Sequence, residues 1–548
     1  MNELTEDWVI KRLPKRPKNA NKGTFGKVGR NGPCWCGSGR KHKRYHLILL
    51  VLTILFLLAM GYLYRGIAMS FPFVDEQYNF AIGKYLTRGE ILYDDIITNH
   101  QPVTHIFSAL VQEIRKPNTT FSLLTVHRDA IIIWSSIWAV LLVFFFGMSG
   151  FVFVVIYELT KSYMFGTLFL AEAIVVYPFI FSVGVIIFKE PLNKFYVILL
   201  GVLLTLAAFT LGPIWPALVF LGLFLLFRLR NNFKTNLFFL FSGILVVILF
   251  VAKDTSLTGF LYNYLYLNLV YTVPQYHASY DQQSWLVTIL KALITPLFSL
   301  IKTDTTYTLW VVRLLSLLFI INLYYLLKLG KIARTILIIV LLALSNIRFV
   351  YPGIGNSGGF HLLPWYGVFI FITVAISLER FRALNYLFKA LTSLIIILTI
   401  VVSLNYAKGL FLVKKDLQKE YTINYSTHTD VGQIIKIMKS PDDTIFVSPD
   451  DWLVYWQADT PHLPKLFGYY AWMSGIPELN KKILESFNSN PPTFFYCDDC
   501  KGLDLGKFLY QYKELKRNSG QTRLFILPYR IDHQTKSQLD QLKFYGVN

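Results

Sequence analysis

Long apolar runs separated by short polar stretches dominate this chain. The first is His46–Tyr64, HLILLVLTILFLLAMGYLY, which holds no acid, lysine or arginine. About 18 or more apolar residues suffice to cross the hydrocarbon core as a helix, and backbone groups in lipid have to pair within their own segment. Further apolar segments fall near 130–158, 164–188, 191–227, 236–252, 308–327, 335–352, 362–378 and 390–406. The stretch 191–227 is too long for one straight helix, and Gly212-Pro213-Ile214-Trp215-Pro216 breaks it. One crossing plus a re-entrant half is expected there. Between the first two runs lies a polar loop, 66–127, too long for a plain connector and expected to hold short helices and function. After about residue 408 charges and prolines return. Short β-rich runs (Thr444–Val447, Thr493–Tyr496, Leu524–Leu527) alternate with helical patterns such as Val431–Lys439, which predicts a small α/β domain.

Composition agrees with a membrane protein. The hydrophobic fraction is 54%, the charged fraction 16% and the mean hydropathy +0.46, against roughly 25% charged residues in soluble domains. The first run starts too deep in the chain for a signal peptide, and its end reads Tyr62-Leu63-Tyr64-Arg65, bulky throughout, so it is expected to stay as an anchor. Charge then orients the chain. The net charge is +20, and about a dozen lysines and arginines lie between Lys11 and Arg44. Positive flanks stay cytoplasmic, which places the N-terminus inside and loop 66–127 outside. A basic arm also suits nucleic acid, but next to a span the reading is topology and attraction to anionic lipid, and no nucleic acid is expected. Lys161, the group Arg228, Arg230 and Lys234, the group Lys328, Lys331 and Arg334, and the pair Arg380 and Arg382 end segments and are read as cytoplasmic. The expected organisation is a basic arm (1–45), an all-α multi-span membrane domain (46–407) and an extracytoplasmic α/β domain (408–548), in the plasma membrane.

The outer loop carries the densest chemistry. It reads Phe73-Val74-Asp75-Glu76-Gln77-Tyr78, then Gly89-Glu90-Ile91-Leu92-Tyr93-Asp94-Asp95, then Asn99-His100-Gln101-Pro102-Val103. An acid held at the membrane surface in a low-dielectric cleft can act as a general base; the plainer alternative is an exposed interfacial acid. A short anchor, "DE" soon after it, "G-x-x-L-Y-x-D" and "H-Q-P" together resemble the GT-C membrane glycosyltransferases, nearest to the bacterial protein-mannosyltransferase and aminoarabinose-transferase group. The resemblance runs from about residue 46 to the tail, where Pro441–Val447 and Asn490–Phe494 are similar to the outer domain of bacterial relatives. It implies a GT-C fold, a polyprenyl-phosphate sugar as donor, Asp75 as base with Glu76 beside it, and His100, Gln101 and Arg128 at the substrate. Arg128 has a second reading, as a snorkelling anchor.

Tyr177-Pro178 followed by Lys189-Glu190-Pro191-Leu192 resembles the family's second-loop acid, which makes Glu190 the second acidic candidate. Glu172 competes for the role, because an acid within an apolar run is a functional hypothesis by default. Arg348–Pro352 through Gly359–Pro364 is similar to the late outer loop that approaches the lipid phosphate. There Arg348 and His361 would bind phosphate oxygens and stabilise charge on the leaving group; a helix cap and a satisfied interfacial histidine are the alternatives. A divalent metal at the acidic site is compatible with the resemblance, since relatives differ in metal dependence. The expected activity is transfer of a sugar from the lipid phosphate to an acceptor hydroxyl of unknown class on the outer face. A transporter or flippase of lipid-linked sugars and a non-catalytic scaffold are the rivals; no internal repeat supports the transporter.

Four cysteines stand apart from this. Asn31–His46, with Cys34-Trp35-Cys36-Gly37-Ser38-Gly39, resembles the SEC-C zinc motif, which implies Cys34, Cys36 and His46 as zinc ligands. Tyr45 occupies the motif's third ligand position, so a weakened site and a metal-free remnant both remain open. Cys497-Asp498-Asp499-Cys500 is read as a structural disulfide or free thiols rather than a redox or metal site.

Overall fold

The computed structural model describes residues 42–189, 192–230, 233–274, 285–301, 309–345, 347–348, 359–381, 384–412, 415–448, 451–463, 476–497, 505–517 and 520–547. Among the described residues seven helices are long and apolar enough to cross a membrane: His46–Gly66, Thr120–Phe146, Ala171–Phe188, Lys234–Val251, Trp310–Lys328, Gly359–Arg380 and Tyr386–Phe411. Four shorter apolar helices accompany them. The chain is a multi-pass membrane protein, helical throughout this part, with a small α/β region at its C-terminal end.

In order, α1 is His42–Gly66, α2 Val74–Thr87, α3 Pro102–Arg115, α4 Thr120–Phe146, α5 Met148–Thr160, α6 Ala171–Phe188, α7 Lys194–Ala208, α8 Trp215–Arg228 and α9 Phe233–Val246. After irregular turns come α10 (Trp285–Ile301), α11 (Trp310–Lys328), α12 (Ile332–Leu344), α13 (Leu363–Arg380) and α14 (Tyr386–Phe411). The apolar segment near 130–158 is two antiparallel helices rather than one. Gly147 turns the chain between α4 and α5 at φ 57, a conformation that L side chains rarely adopt. The segment 191–227 is two short helices, α7 and α8, on either side of the Gly212–Pro216 break. Five helices therefore separate loop 66–127 from Arg228, the odd number that opposite faces require. The apolar helix α10 falls where the hydrophobic pattern, interrupted by Lys291 and Pro296, marks no segment. It packs on α11, with Ser299 Oγ donating to Ser316 Oγ at 2.7 Å.

Two faces follow from the helix ends. At one, Lys189 Nζ donates to Phe145 O, Arg228 donates to Ile186 O and Lys189 O, and Arg334 pairs with Glu379. This is the basic face that charge clustering implies. Lys161 is not part of it. It lies at the other face, 1% exposed, with its ammonium 2.8 Å from Glu158 Oε2. Tyr64, near the end of α1, donates to the same carboxylate at 2.8 Å, as does Tyr177 of α6. Lys161 is thus half of a buried ion pair that ties α1, α5 and α6 together, and the flank rule, which concerns exposed loop charges, does not apply to it.

The tail begins with α15 (Leu417–Met438). A four-stranded sheet follows, β1 (Ile445–Ser448), β2 (Phe494–Cys497), β3 (Lys513–Arg517) and β4 (Gly520–Ile526), in the order β1-β2-β4-β3. β1 and β2 run parallel, with Ile445 opposite Phe494; β4 is antiparallel to both β2 and β3. The short helix α16 (Trp452–Ala458) and α17 (Pro477–Ser489) lie in the β1-to-β2 connection. Cys497 is disulfide-bonded; Cys34, Cys36 and Cys500 lie outside the described residues. One apolar cluster joins the sheet to the first loop, running from Tyr78, Ile82 and Tyr93 to Trp452, Ile445 and Phe494.

Replacing Lys161 by Met strands the Glu158 carboxylate in the bundle. Removing one partner of a buried pair costs about 3–5 kcal/mol, so Lys161→Met is expected to lower the melting temperature in detergent sharply. The double variant Lys161→Met/Glu158→Gln should recover most of that loss, as read by thermal melting of the purified proteins.

Candidate active site

The site is built where loop 66–127 meets the turns before α6 and α13. Asp75 and Glu76 stand in the first turn of α2, where the helix dipole favours negative charge. Consecutive residues point in different directions on a helix, and the two acids meet different environments. Glu76 is 0% exposed. Its carboxylate is held by Arg128 of α4, with Nη2 2.5 Å from Oε2 and Nε 3.1 Å from Oε1, and accepts from the Phe169 backbone N–H at 2.9 Å. Arg128 also donates to Phe71 O at 2.8 Å and to the Tyr425 hydroxyl of α15 at 3.1 Å. Glu76 and Arg128 are therefore an internal clamp, its carboxylate filled while Arg128 Nη1 is buried with no hydrogen-bond partner among the described residues. Asp75 is half-buried on a neighbouring face, and its charge acts on Tyr78 one turn further along.

The late loop arrives beside this helix start. Phe73, two residues before Asp75, packs against Phe360 with ring centroids 4.9 Å apart, and His361 follows Phe360. His361 Nδ1 lies 2.9 Å from Glu172 Oε1, at the first turn of α6. His100 faces the same group. Burial first, and then the nearby Arg348 and His361 charges, push its imidazole down to about 3. Gln101 donates to the Tyr264 hydroxyl, whose own titration senses Arg348. Gly212 makes this contact possible, since a Cβ there would collide with both Gln101 and Tyr264.

Asp75, His100, Gln101, Arg348 and His361 thus come to one region, although up to 286 residues separate them in sequence. Glu172 joins them. Glu190 lies outside the described residues. Its neighbour Lys189 sits about 26 Å from Glu172 along α6, at 1.5 Å per residue, and bonds to the basic face. His46 is buried in the second turn of α1. Among the described residues no three His, Cys, Asp or Glu side chains converge as a metal site would require.

Sequence reasoning missed Tyr78, His105 and Tyr264. Tyr78 stands edge-on to His100 and His105, with centroids 5.2 and 5.7 Å away, and packs at 4.5 Å on Trp452 of α16. The five-residue spacing of His100 and His105 across a helix start was the available signal. Beside the clamp, a cavity of about 160 Å³ is lined by Tyr64, Met69, Phe71, Arg128 and Asp129 among others.

No protein-family model matches the chain, and no curated protein matches it. Among solved structures it is similar to ArnT from Cupriavidus metallidurans in the apo state and to the same protein bound to undecaprenyl phosphate. Each gives a TM-score of 0.47 at 10% identity; the matches cover 88% and 87% of this chain and 98% and 97% of those chains.

The clamp and the neutral histidine each predict a measurement. Glu76→Gln leaves Arg128 buried and half-paired and is expected to cost about 3–5 kcal/mol, whereas Asp75→Asn should melt within a few degrees of the parent. For His100, the unfolded chain takes up a proton near pH 6.5 while the folded chain holds out to about 3. Between these values the unfolded state binds more protons, so stability falls as the pH drops from 6.5 and is unaffected above it. Melting curves from pH 7.5 to 4.5 should show this decline, and His100→Asn should make it shallower.

Proposed function

We propose that this protein is a membrane glycosyltransferase that moves a sugar from a polyprenyl-phosphate donor to an acceptor hydroxyl, with Asp75 as general base. The observation that carries the reading is the meeting of an acid with an arginine and a histidine. The start of α2 bearing Asp75 abuts the turn bearing His361, and Arg348 acts on His100 in the same region. A group-transfer site for a lipid phosphate needs both elements, one to take a proton and one to receive developing negative charge.

In the reaction, the Asp75 carboxylate accepts the acceptor's hydroxyl proton. The freed oxygen forms a bond to the anomeric carbon. The bond from that carbon to the phosphate oxygen breaks, and its electron pair stays on the lipid phosphate. Attack opposite the leaving phosphate inverts the anomeric centre. Arg348 and His361 hold the departing phosphate, and the Glu172 carboxylate fixes the His361 ring through Nδ1. Glu172 takes the place that the sequence pattern offers to Glu190. The apolar cavity beside Arg128 lies at the end of α1 and gives a lipid chain a seat next to the site. No step requires a metal. By the positive-inside rule, the face opposite Lys189, Arg228 and Arg334 is extracytoplasmic, so the tail domain and the reaction lie outside.

The test is transfer by purified protein in lipid from a panel of polyprenyl-phosphate sugars, with product detected by mass. Asp75→Asn should lose about 10²–10⁴-fold in rate while keeping its melting temperature. Full activity in that variant would refute the assignment. Glu172→Gln should lower kcat, and Glu190→Gln should leave it within about twofold of the parent.

A further inference from the structure

Folded proteins leave few buried polar groups without a hydrogen-bond partner, and each exception calls for an explanation. Among the described residues such atoms are scattered along the chain, and their densest run is Asn99–His105. Asn99 Oδ1, His100 Nδ1, Thr104 Oγ1 and both ring nitrogens of His105 are buried and have no partner among the described residues. Thr104 is 2% exposed and His105 0%. The main chain of the same segment is well tied. Asn268 donates to Asn99 O at 3.1 Å, the Tyr93 hydroxyl to His100 O at 2.6 Å, and Val103 N to Phe209 O at 3.1 Å. The backbone is fixed while these buried side-chain atoms lack partners, a condition suited to a preorganised polar subsite.

We infer that Asn99, His100, Thr104 and His105 form a subsite for the hydroxyl groups of an uncharged sugar ring, an assignment that rests on the glycosyltransferase reading above. The open atoms are an amide oxygen, a hydroxyl and imidazole nitrogens, a set with no formal charge. A neutral imidazole offers one donor and one acceptor, and a sugar hydroxyl answers both. A phosphate would call for charged donors, which here lie to one side at Arg348 and His361; an ammonium would call for a carboxylate, and this cluster has none. Tyr78, edge-on to both imidazoles, adds an aromatic wall against which the C–H face of a sugar packs. Burial keeps both imidazoles neutral, that of His105 well below its ordinary range.

The test measures binding of three polyprenyl-phosphate sugars, carrying a neutral hexose, an amino sugar and a uronic acid, together with sugar-free polyprenyl phosphate. The protein is full-length in detergent, as the parent and as His105→Phe. Phenyl replaces imidazole at nearly the same volume and removes two unsatisfied atoms, so the variant should melt at or above the parent temperature. The parent is expected to bind the neutral-hexose lipid at least tenfold more tightly than the two charged-sugar lipids. His105→Phe should lose that preference while binding sugar-free polyprenyl phosphate as before. A KM effect confined to the donor, or to a neutral-sugar acceptor, would say which sugar occupies the subsite; either supports it. Equal parent affinity for neutral and charged sugars, or an unchanged preference in His105→Phe, would overturn the subsite and leave the transferase reading standing, the open atoms then holding water only. Failure of the parent to bind any of the four lipids would overturn both.

Discussion

The geometry of the site depends on the buried pair between Glu76 and Arg128. The guanidinium bonds to α2, to the chain before it at Phe71 and to α15 through Tyr425, while the carboxylate also holds the backbone at Phe169 ahead of α6. Four chain segments thus meet on two side chains at the edge of the membrane domain. A pair withdrawn from water repays its desolvation only when its hydrogen bonds are filled, and here the carboxylate accepts three times. Asp75 precedes Glu76 by one residue, so whatever holds Glu76 also sets where Asp75 points. One acid of the pair supplies rigidity and its neighbour is the proposed base.

Much of this was legible in the sequence. Runs of apolar residues mark the spans because lipid leaves the backbone no alternative to helix, and the β-rich runs of the tail mark three strands of its sheet. Asp75, His100, Arg348 and His361 are proposed from the resemblance of their motifs to a known family. What the pattern could not supply is pairing. Lys161 reads as a flank until Glu158, three residues earlier, is seen to neutralise it. Glu172 and Glu190 read alike until Glu172 is seen to meet His361. The turn at Gly147 hides inside continuous hydrophobicity, since a tight turn within a bundle needs no polar residue.

The proposed chemistry divides the site by charge. Arg348, His361 and Glu172 form an ionic side, fit for a phosphate. His100 and His105 form a side that burial keeps neutral. Tyr78 stands between the two, sensing Asp75 on one hand and touching both imidazoles on the other. A ligand with a charged end and a polyhydroxylated end would meet a matching surface at each.

The packing of Tyr78 on Trp452, together with the bond from the Tyr85 hydroxyl to Thr460 O across 375 positions of sequence, bears on how the protein is made. A ribosome adding about 5–20 residues per second takes on the order of 20–75 s to travel from one to the other. Through that interval α2 has entered the world without the surface that completes its burial. During biogenesis the nascent loop has to be sheltered by lipid headgroups, by insertion machinery or by its own neighbour α3, and its full packing arrives only with the last quarter of translation.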